Sequence, residues 1–276
     1  MENLRVCFVG TGSMGSAVLK GLLAAGHPAA LISATTNSIA SATALRALGV
    51  SAMALEEAQD ANSLMAGDAD LIVLGVKPYQ LVDVLGQLNG EIAKNAVVIS
   101  MAAGISLETM ATALPDNPNL IRSMPNTPAL VGKGVTGVSA AASCSKAALL
   151  AAGELFASVG AVVEVPETMI NPLSAISGSG PAWVYYFIEQ WEAIAIEQGF
   201  TKEQAEVMVR GTFDGAIELL AQGDAEPSEL RSKVTSPGGT TAKIIETFDE
   251  AQLKSIFEAG LRAAVQRAEE IASATQ

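Results

Sequence analysis

The sequence is poor in the residues that most often bind metals or carry nucleophilic catalysis. It contains one histidine, His27, and two cysteines, Cys7 and Cys144. We therefore expect no metal site and no Ser-His-Asp triad, and we interpret His27 as a residue at the end of the first helix rather than a catalyst. One cysteine in a predicted buried strand and one in a loop do not form a disulfide framework, which favours a reducing cytoplasm.

Basic residues and long apolar runs are also scarce. The chain has 16 Lys and Arg against 29 Asp and Glu, a formal net charge of −13, which opposes binding to nucleic acid. No run of about eighteen residues is apolar enough to predict a membrane helix, and the N-terminus lacks the pattern of a signal peptide. Half of the 276 residues are nevertheless apolar, so we expect a compact chain of about two domains.

The first part of the chain alternates apolar strands with helical segments, which predicts a parallel sheet flanked by helices. The predicted strands are Val6–Val9, Ala30–Ser33, Leu71–Val76, Val97–Met101, Leu120–Met124, Val135–Ala140 and Ala161–Val165. The predicted helices are Gly15–Ala25, Ala40–Leu48, Gln80–Leu88 and Lys146–Ser158. The prolines that bracket Pro125–Pro128 predict a loop. We assign residues 1–165 to this α/β domain.

From about residue 166 helical spacing continues without strands, which predicts an all-helical second domain over residues 166–276. Its long helices are predicted at Pro181–Gln198, Lys202–Gln222 and Gln252–Ser273. The stretch Trp183–Ile188 is apolar nearly all round, so its helix must be covered on every side. We expect a second copy of the chain to provide this cover; the alternative is burial within one chain.

The segment Gly10-Thr11-Gly12-Ser13-Met14-Gly15 follows the first strand and opens the first helix. This G-x-G-x-x-G pattern is typical of Rossmann folds, where backbone N–H groups at a helix start hold the pyrophosphate of a dinucleotide. Gly10 would permit the tight turn, Gly12 the approach of the pyrophosphate, and Gly15 close packing of helix on strand. The alternative is a glycine-rich turn that only closes a βα unit.

The end of the second strand bears on the choice of coenzyme. NAD sites of this type place an Asp or Glu about twenty residues after the glycines, where it binds the ribose 2′-OH. The segment Ser33–Ser38 carries hydroxyl and amide side chains instead. It therefore favours NADPH, with NADH possible, although the nearest arginine, Arg46, lies outside the segment. The alternative is that these residues only cap the next helix, as Ser38 can.

Three further segments carry residues suited to a ligand. Gly75–Pro78 follows a buried strand, at the sheet edge where open α/β folds bind ligands, although a lysine there is often only solvated. Ser174–Pro181 is rich in glycine and leads into an aromatic helix, and its alternative is a crowded helix junction. Val234–Ala242 places N–H groups and hydroxyls at a helix start, which suits a small carboxylate.

Together these motifs resemble those of the pyrroline-5-carboxylate reductase family over essentially the whole chain. The matching segments are Val76–Pro78, Arg122–Pro128, Ser177–Pro181 and Ser236–Thr241 followed by Ile244–Glu246. The resemblance implies reduction of the cyclic imine 1-pyrroline-5-carboxylate to L-proline by hydride transfer from NAD(P)H, the last step of proline biosynthesis. It also implies a Rossmann domain followed by a helical domain through which subunits form a homodimer or a higher homo-oligomer.

The resemblance further implies roles for individual residues. Cofactor contacts fall on Val9, Gly10, Thr11, Gly12, Ser13, Met14, Thr35, Thr36, Asn62, Gly75, Val76, Lys77, Pro78, Met101, Ala102 and Ala103. Substrate contacts fall on Glu167, Ser236, Gly238, Gly239, Thr240 and Thr241. Ser174, beside the ring nitrogen, and Thr241 take the catalytic roles. Lys233 stands where the family pattern leads us to expect a small polar residue such as Asn, so its role stays open.

Two other functions are compatible with parts of the sequence. A reductase of the β-hydroxyacid dehydrogenase kind would need a lysine on the first long helix of the second domain, and Ala182–Gln198 contains neither lysine nor arginine. A non-catalytic NADP-binding or sensing protein would have no need of Ser236–Thr241. We therefore favour imine reduction in which the enzyme mainly positions a protonated imine and needs no strong general acid.

Overall fold

The computed structural model describes residues 3–274, with side chains through residue 270. The chain divides into two compact units, one formed by Met1–Ser179 with Ala264–Gln276 and the other by Gly180–Ala263. The first unit extends past residue 166 because Leu173 packs directly on Gly137 of the sheet. This division follows the packing of the chain and does not test the predicted domain boundary at residue 166, which stays a prediction.

The first unit is built on a single eight-stranded sheet. Its strands are β1 (Val6–Val9), β2 (Ile32–Thr36), β3 (Ser51–Ala54), β4 (Leu71–Leu74), β5 (Val97–Ser100), β6 (Leu120–Met124), β7 (Gly134–Ala140) and β8 (Gly160–Glu164). They lie in the order β3-β2-β1-β4-β5-β6-β7-β8. All neighbours pair in parallel except β6 and β7, which are antiparallel. The order of the first six strands is that of the Rossmann fold, which confirms the predicted fold class.

Helices cover both faces of this sheet. In the first unit they are α1 (Ser13–Ala24), α2 (Ile39–Arg46), α3 (Ala61–Ala66), α4 (Pro78–Leu88), α5 (Leu107–Ala113), α6 (Lys146–Ala157) and α7 (Ile170–Leu173). Alternate residues of β1 point to opposite faces, as the pleat of a strand requires. Val6 and Phe8 join an apolar cluster with Leu19 of α1, whereas Cys7 and Val9 join a second cluster that includes side chains of α4.

The second unit is helical, as expected. It contains α8 (Gly180–Glu197), α9 (Lys202–Ala221), α10 (Pro227–Lys233), α11 (Thr240–Glu250) and the first part of α12 (Leu253–Ala274). Thr201 caps α9 by accepting a hydrogen bond from the Gln204 N–H at 3.2 Å. No helix in residues 3–274 combines the length and hydropathy needed to cross a membrane.

Several predicted elements need correction. The second strand begins at Ile32 rather than Ala30 because Ala29–Leu31 form a 3₁₀ turn after Pro28. The stretch Pro125–Pro128 is not wholly a loop, since a 3₁₀ turn begins at Thr127 and places Pro128 in its first turn, where a missing N–H costs nothing. The elements β3, α3, α5, α7 and α10 were not predicted.

His27 follows α1 as predicted, and its backbone N–H donates to Leu22 O at 3.2 Å. Its side chain is buried, and within the described residues its Nε2 has no hydrogen-bond partner. Burial lowers the pKa of this imidazole below its usual value. Cys7 is buried in β1, and the loss of water around its thiol raises the pKa to about 12.

Candidate functional site

The glycine-rich segment Gly10–Gly15, here called the phosphate turn, joins β1 to α1. Gly10 has φ +72°, a left-handed conformation that favours glycine. A Cβ at this position would also collide with Val76 Cγ1, just after β4, so the backbone and the packing both require glycine here. Gly12 is the N-cap of α1, and a Cβ built on it meets no atom within 4 Å. No side chain in the described part of the chain caps α1. The exposed helix start therefore fits a pyrophosphate held by backbone N–H groups.

The expectation that Gly15 is needed for close packing of α1 on the sheet is wrong. A Cβ at Gly15 would lie 3.6 Å from Thr11 Cγ2, which is ordinary contact. The close approach of α1 occurs instead at Gly21, against the turn between α6 and β8, where a Cβ would collide with Val159 Cγ1 and lie 3.1 Å from Ser158 O.

The ends of β1, β4 and β5 meet beside the phosphate turn. Gly75 donates its N–H to Val9 O at 2.8 Å, and Met101 donates to Leu74 O at 3.0 Å. A Cβ at Gly75 would lie 2.9 Å from Gly10 O, so this crossing also admits only glycine. The strand order reverses between β1 and β4, and the crevice at such a point is where open α/β sheets bind their ligands.

Burial separates the predicted cofactor residues into three groups. The exposed ones are Gly12, Ser13, Lys77 and Ala103. The half-buried ones are Gly10, Met14, Gly75, Val76, Pro78 and Met101. The buried ones are Val9, Thr11, Thr35, Thr36, Asn62 and Ala102. The first two groups can touch a ligand directly, whereas the third holds the site in shape.

Thr35 and Asn62 form a buried hydrogen-bonded chain behind the phosphate turn. The Thr35 hydroxyl accepts from the Gly10 N–H at 3.0 Å and donates to Asn62 Oδ1 at 2.8 Å. Asn62 Nδ2 in turn donates to Gln87 Oε1 at 3.1 Å. These contacts connect the phosphate turn to α3 and α4. They also mean that the side chains of Thr35 and Asn62 are hydrogen-bonded to other groups of the protein.

Ser174 lies in a short π-helical turn, Ser174–Gly178, between α7 and α8. Turns of this kind interrupt α-helices and are frequent at functional sites. Ser174 lines a cavity of about 280 Å³ whose walls come from Ala103, Gly104, Arg122, Met124, Ile170, Asn171, Ala175, Ser179, Ala264, Arg267 and Ala268. All of these residues belong to the first unit. The cavity, here called the Ser174 cavity, brings together Ala103, predicted for the cofactor, and Ser174, predicted for catalysis.

Glu167 does not line the Ser174 cavity. Its Oε1 accepts hydrogen bonds from Arg122 Nη1 at 2.8 Å and from the Leu107 N–H at 2.7 Å. The carboxylate borders a separate open groove of about 860 Å³ beside α5. Its visible role is to hold Arg122, which is only 8% exposed and reaches the Ser174 cavity from β6.

Arg122 was not singled out from the sequence as a site residue. The sequence did indicate that Arg122 has a special role, because a charged side chain in a strand predicted to be buried needs a partner. The identity of that partner, 45 residues away in sequence, was not readable from the pattern.

The segment Ser236–Thr241, here called the carboxylate turn, lies in the second unit. Gly238 has φ +72°, and Gly239 donates its N–H to Ser236 O at 3.0 Å and serves as the N-cap of α11. No side chain in the described residues caps α11, and its first turn has no acidic residue. The N–H groups of Thr240, which is exposed, and of Thr241, which is half-buried, therefore suit a small carboxylate. Lys233 ends α10 and is exposed.

Comparison with known proteins matches both parts of the chain. Residues 167–271 match the family model described as pyrroline-5-carboxylate reductase dimerisation, and residues 5–104 match that described as NADP oxidoreductase coenzyme F420-dependent. The pyrroline-5-carboxylate reductase of Vibrio alginolyticus is 39% identical over 273 residues, which cover 98% of each chain.

Solved structures give the same result. The pyrroline-5-carboxylate reductase of Coxiella burnetii has a TM-score of 0.90 and 33% identity, covering 97% of this chain and 98% of its own. The Plasmodium falciparum pyrroline carboxylate reductase, solved with NADP bound, has a TM-score of 0.84 and 26% identity, covering 99% of each chain.

Proposed function

Because the chain belongs to the pyrroline-5-carboxylate reductase family, we propose that it reduces 1-pyrroline-5-carboxylate to L-proline, the last step of proline biosynthesis. The observation that carries this proposal is the pair of uncapped helix starts, one after the glycine motif and one after the Ser-Pro-Gly-Gly motif. A dinucleotide reductase with a carboxylate substrate needs two anion sites of this kind. A non-catalytic dinucleotide sensor needs only the first.

We propose that Gly10, Gly12–Met14, Gly75–Pro78, Met101 and Ala103 bind the coenzyme directly. The buried residues Val9, Thr11, Thr35, Thr36, Asn62 and Ala102 support them. The coenzyme, when bound, supplies the hydride. The sequence prediction of NADPH, with NADH possible, remains a proposal, supported by the absence of a carboxylate from Ser33–Ser38.

For the substrate, we propose that the backbone N–H groups of Thr240 and Thr241 and the Thr241 hydroxyl fix the ring carboxylate, while Ser236, Gly238 and Gly239 shape the turn. Ser174 orients the ring nitrogen, because its hydroxyl oxygen accepts a hydrogen bond from the proton on that nitrogen. Because the protonated imine accepts a hydride readily, positioning supplies most of the rate enhancement. Glu167 contributes by holding Arg122 at the Ser174 cavity, so its predicted substrate contact is indirect in this proposal.

We also propose a homodimer or higher homo-oligomer joined through residues 166–276, supported by the match of residues 167–271 to a dimerisation domain. A reducing, cytoplasmic setting is supported by the two free cysteines.

The test is loss of NADPH absorbance with 1-pyrroline-5-carboxylate, compared with a panel of hydroxy and keto acids. Thr241→Ala should mainly raise the KM for the imine, and Ser174→Ala should mainly lower kcat. Each loses a hydroxyl whose hydrogen bond to the substrate is worth about 1–3 kcal/mol, or about 5- to 150-fold. Matched controls are Thr247→Ala on the same helix and Ser177→Ala in the same π-helical turn, whose hydroxyls donate to Lys243 O and Leu173 O. Wild-type kinetics in both site variants would contradict the assignment.

A further inference from the structure

A carboxylate reaches the start of α2 from a part of the chain distant from β2. Ile39, the first residue of α2, donates its N–H to Glu56 Oε2 at 2.9 Å. Glu56 is held there because the β2–β3 pairing continues beyond β3. The Leu55 N–H donates to Thr36 O at 2.8 Å, and the Glu56 N–H donates to Asn37 O at 3.3 Å. In Rossmann folds, this loop after β2 is where the adenosine ribose is bound.

The cation closest in sequence to this loop is used elsewhere. Arg46, at the end of α2, binds the Glu57 carboxylate through Nη2 at 2.9 and 2.6 Å. Its Nε donates to Ala52 O at 2.8 Å. Glu57 is held in turn by the Ala54 N–H at 2.7 Å. Arg46 therefore secures β3 and the following loop instead of offering its charge to a phosphate at the start of α2.

The two threonine hydroxyls predicted for the 2′-phosphate are also engaged. Thr35 is 1% exposed and joins Gly10 to Asn62, as described above. Thr36 is 3% exposed and donates its hydroxyl to Ser38 O at 3.0 Å. Ser38 itself caps α2 by accepting from the Ser41 N–H at 3.3 Å. The polar groups that favour NADPH in the sequence are thus largely bonded to other groups of the protein.

We propose that Glu56 is a specificity-determining residue that limits the preference for NADPH over NADH. Its charge opposes a 2′-phosphate, and it occupies an N–H at a helix start that would otherwise favour an anion. The same carboxylate can accept from a ribose 2′-OH, which is the role of the acidic residue at the end of β2 in NAD sites. The loop after β3 therefore supplies the carboxylate that β2 lacks. This inference rests on the proposed use of a nicotinamide dinucleotide.

The experiment measures the Kd of NADP⁺ and of NAD⁺ by calorimetry without imine, for wild type and two variants. Glu56→Gln removes the charge, and its amide oxygen can still accept from the Ile39 N–H. NADP⁺ should bind about tenfold tighter while NAD⁺ binding stays equal or weakens. Glu56→Lys reverses the charge and should move the ratio of the two Kd values further in the same direction.

Asp116→Asn is the matched control. It removes one exposed carboxylate from the loop before β6, at the amino-terminal ends of the parallel strands, whereas Glu56 lies at their carboxyl ends. It should leave both Kd values unchanged. A ratio that moves by less than about threefold in both Glu56 variants overturns the role of Glu56 while leaving the proposed function intact. If the wild-type protein binds neither dinucleotide, both the proposed coenzyme use and this inference are overturned.

Discussion

Thr35 illustrates at the scale of one residue why a side chain predicted to touch a ligand can act one step behind it. Its type and its place at the end of β2 were readable from the sequence. The two partners of its hydroxyl come from the phosphate turn and from α3, 25 residues before it and 27 residues after it. The sequence pattern does not encode such pairings, which arise only when three elements pack together. The partners of Glu167 lie on α5 and β6 and are likewise distant from it in sequence.

Thr35→Val tests this structural role. The substitution keeps the shape of the side chain but leaves the Gly10 N–H and Asn62 Oδ1 without their buried partner. Each unsatisfied group costs about 1–3 kcal/mol, so the midpoint of thermal unfolding should fall by several degrees. Thr112→Val is the control, because Thr112 is exposed on α5 and its hydroxyl donates to Glu108 O in the same helix. Its effect should stay within about 0.5 kcal/mol. Equal melting of Thr35→Val and wild type would show that the buried chain contributes little.

The π-helical turn Ser174–Gly178 is the element that sets the direction of Ser174. The Ser179 N–H bonds back to Ser174 O at 2.8 Å, and Asn126 Nδ2 holds Ser177 O at 2.9 Å. Gly178 lies against Ser174, so that a Cβ there would stand 3.2 Å from Ser174 Oγ and 3.4 Å from Met124 Cε. The turn therefore needs glycine at this position to leave the serine in place.

Gly178→Ala should lower kcat about tenfold, since small displacements of a positioning group have large effects on rate. The KM for the dinucleotide should not change, because the variant lies outside the phosphate turn. Gly180→Ala, two residues later, is the matched control: its Cβ would meet no atom within 4 Å. Both substitutions raise helix propensity by a similar amount. A difference in kcat between the two variants therefore reports the crowding of Ser174 by the new Cβ at position 178. If the two variants have the same kcat, the contact between position 178 and Ser174 has no effect on catalysis.

Elements with strong periodicity were predictable, and those without it were not. The apolar strands β1 and β6 match the predicted bounds to the residue. β3 was not predicted because three of the four residues of Ser51–Ala54 are small and none is β-branched, so no strand pattern marks this edge strand. That omission also hid Glu56, whose position depends on the pairing of β3 with β2. The short helices α5 and α10 have seven residues each, too few for a clear helical period.

The second unit leaves much apolar surface uncovered by its own chain. On α8, Tyr185 is 62% exposed and Ile194 is 53% exposed, and no residue of this helix is buried. Aromatic contacts exist within the unit, such as Trp191 against Phe213 with ring centroids 5.6 Å apart, but they cover only part of the helix. Apolar surface of this extent marks a protein interface. The expectation from Trp183–Ile188 that the helix needs a partner is thus supported at the level of the whole unit.

Ile194→Asp tests whether α8 joins two copies of the chain. A charge placed in a buried apolar interface loses its water without gaining a partner, so light scattering should show a smaller particle than wild type at equal concentration. Leu150→Asp is the control, since Leu150 on α6 of the first unit is 65% exposed and should tolerate the charge. An Ile194→Asp particle as large as that of wild type would place the interface elsewhere on the second unit.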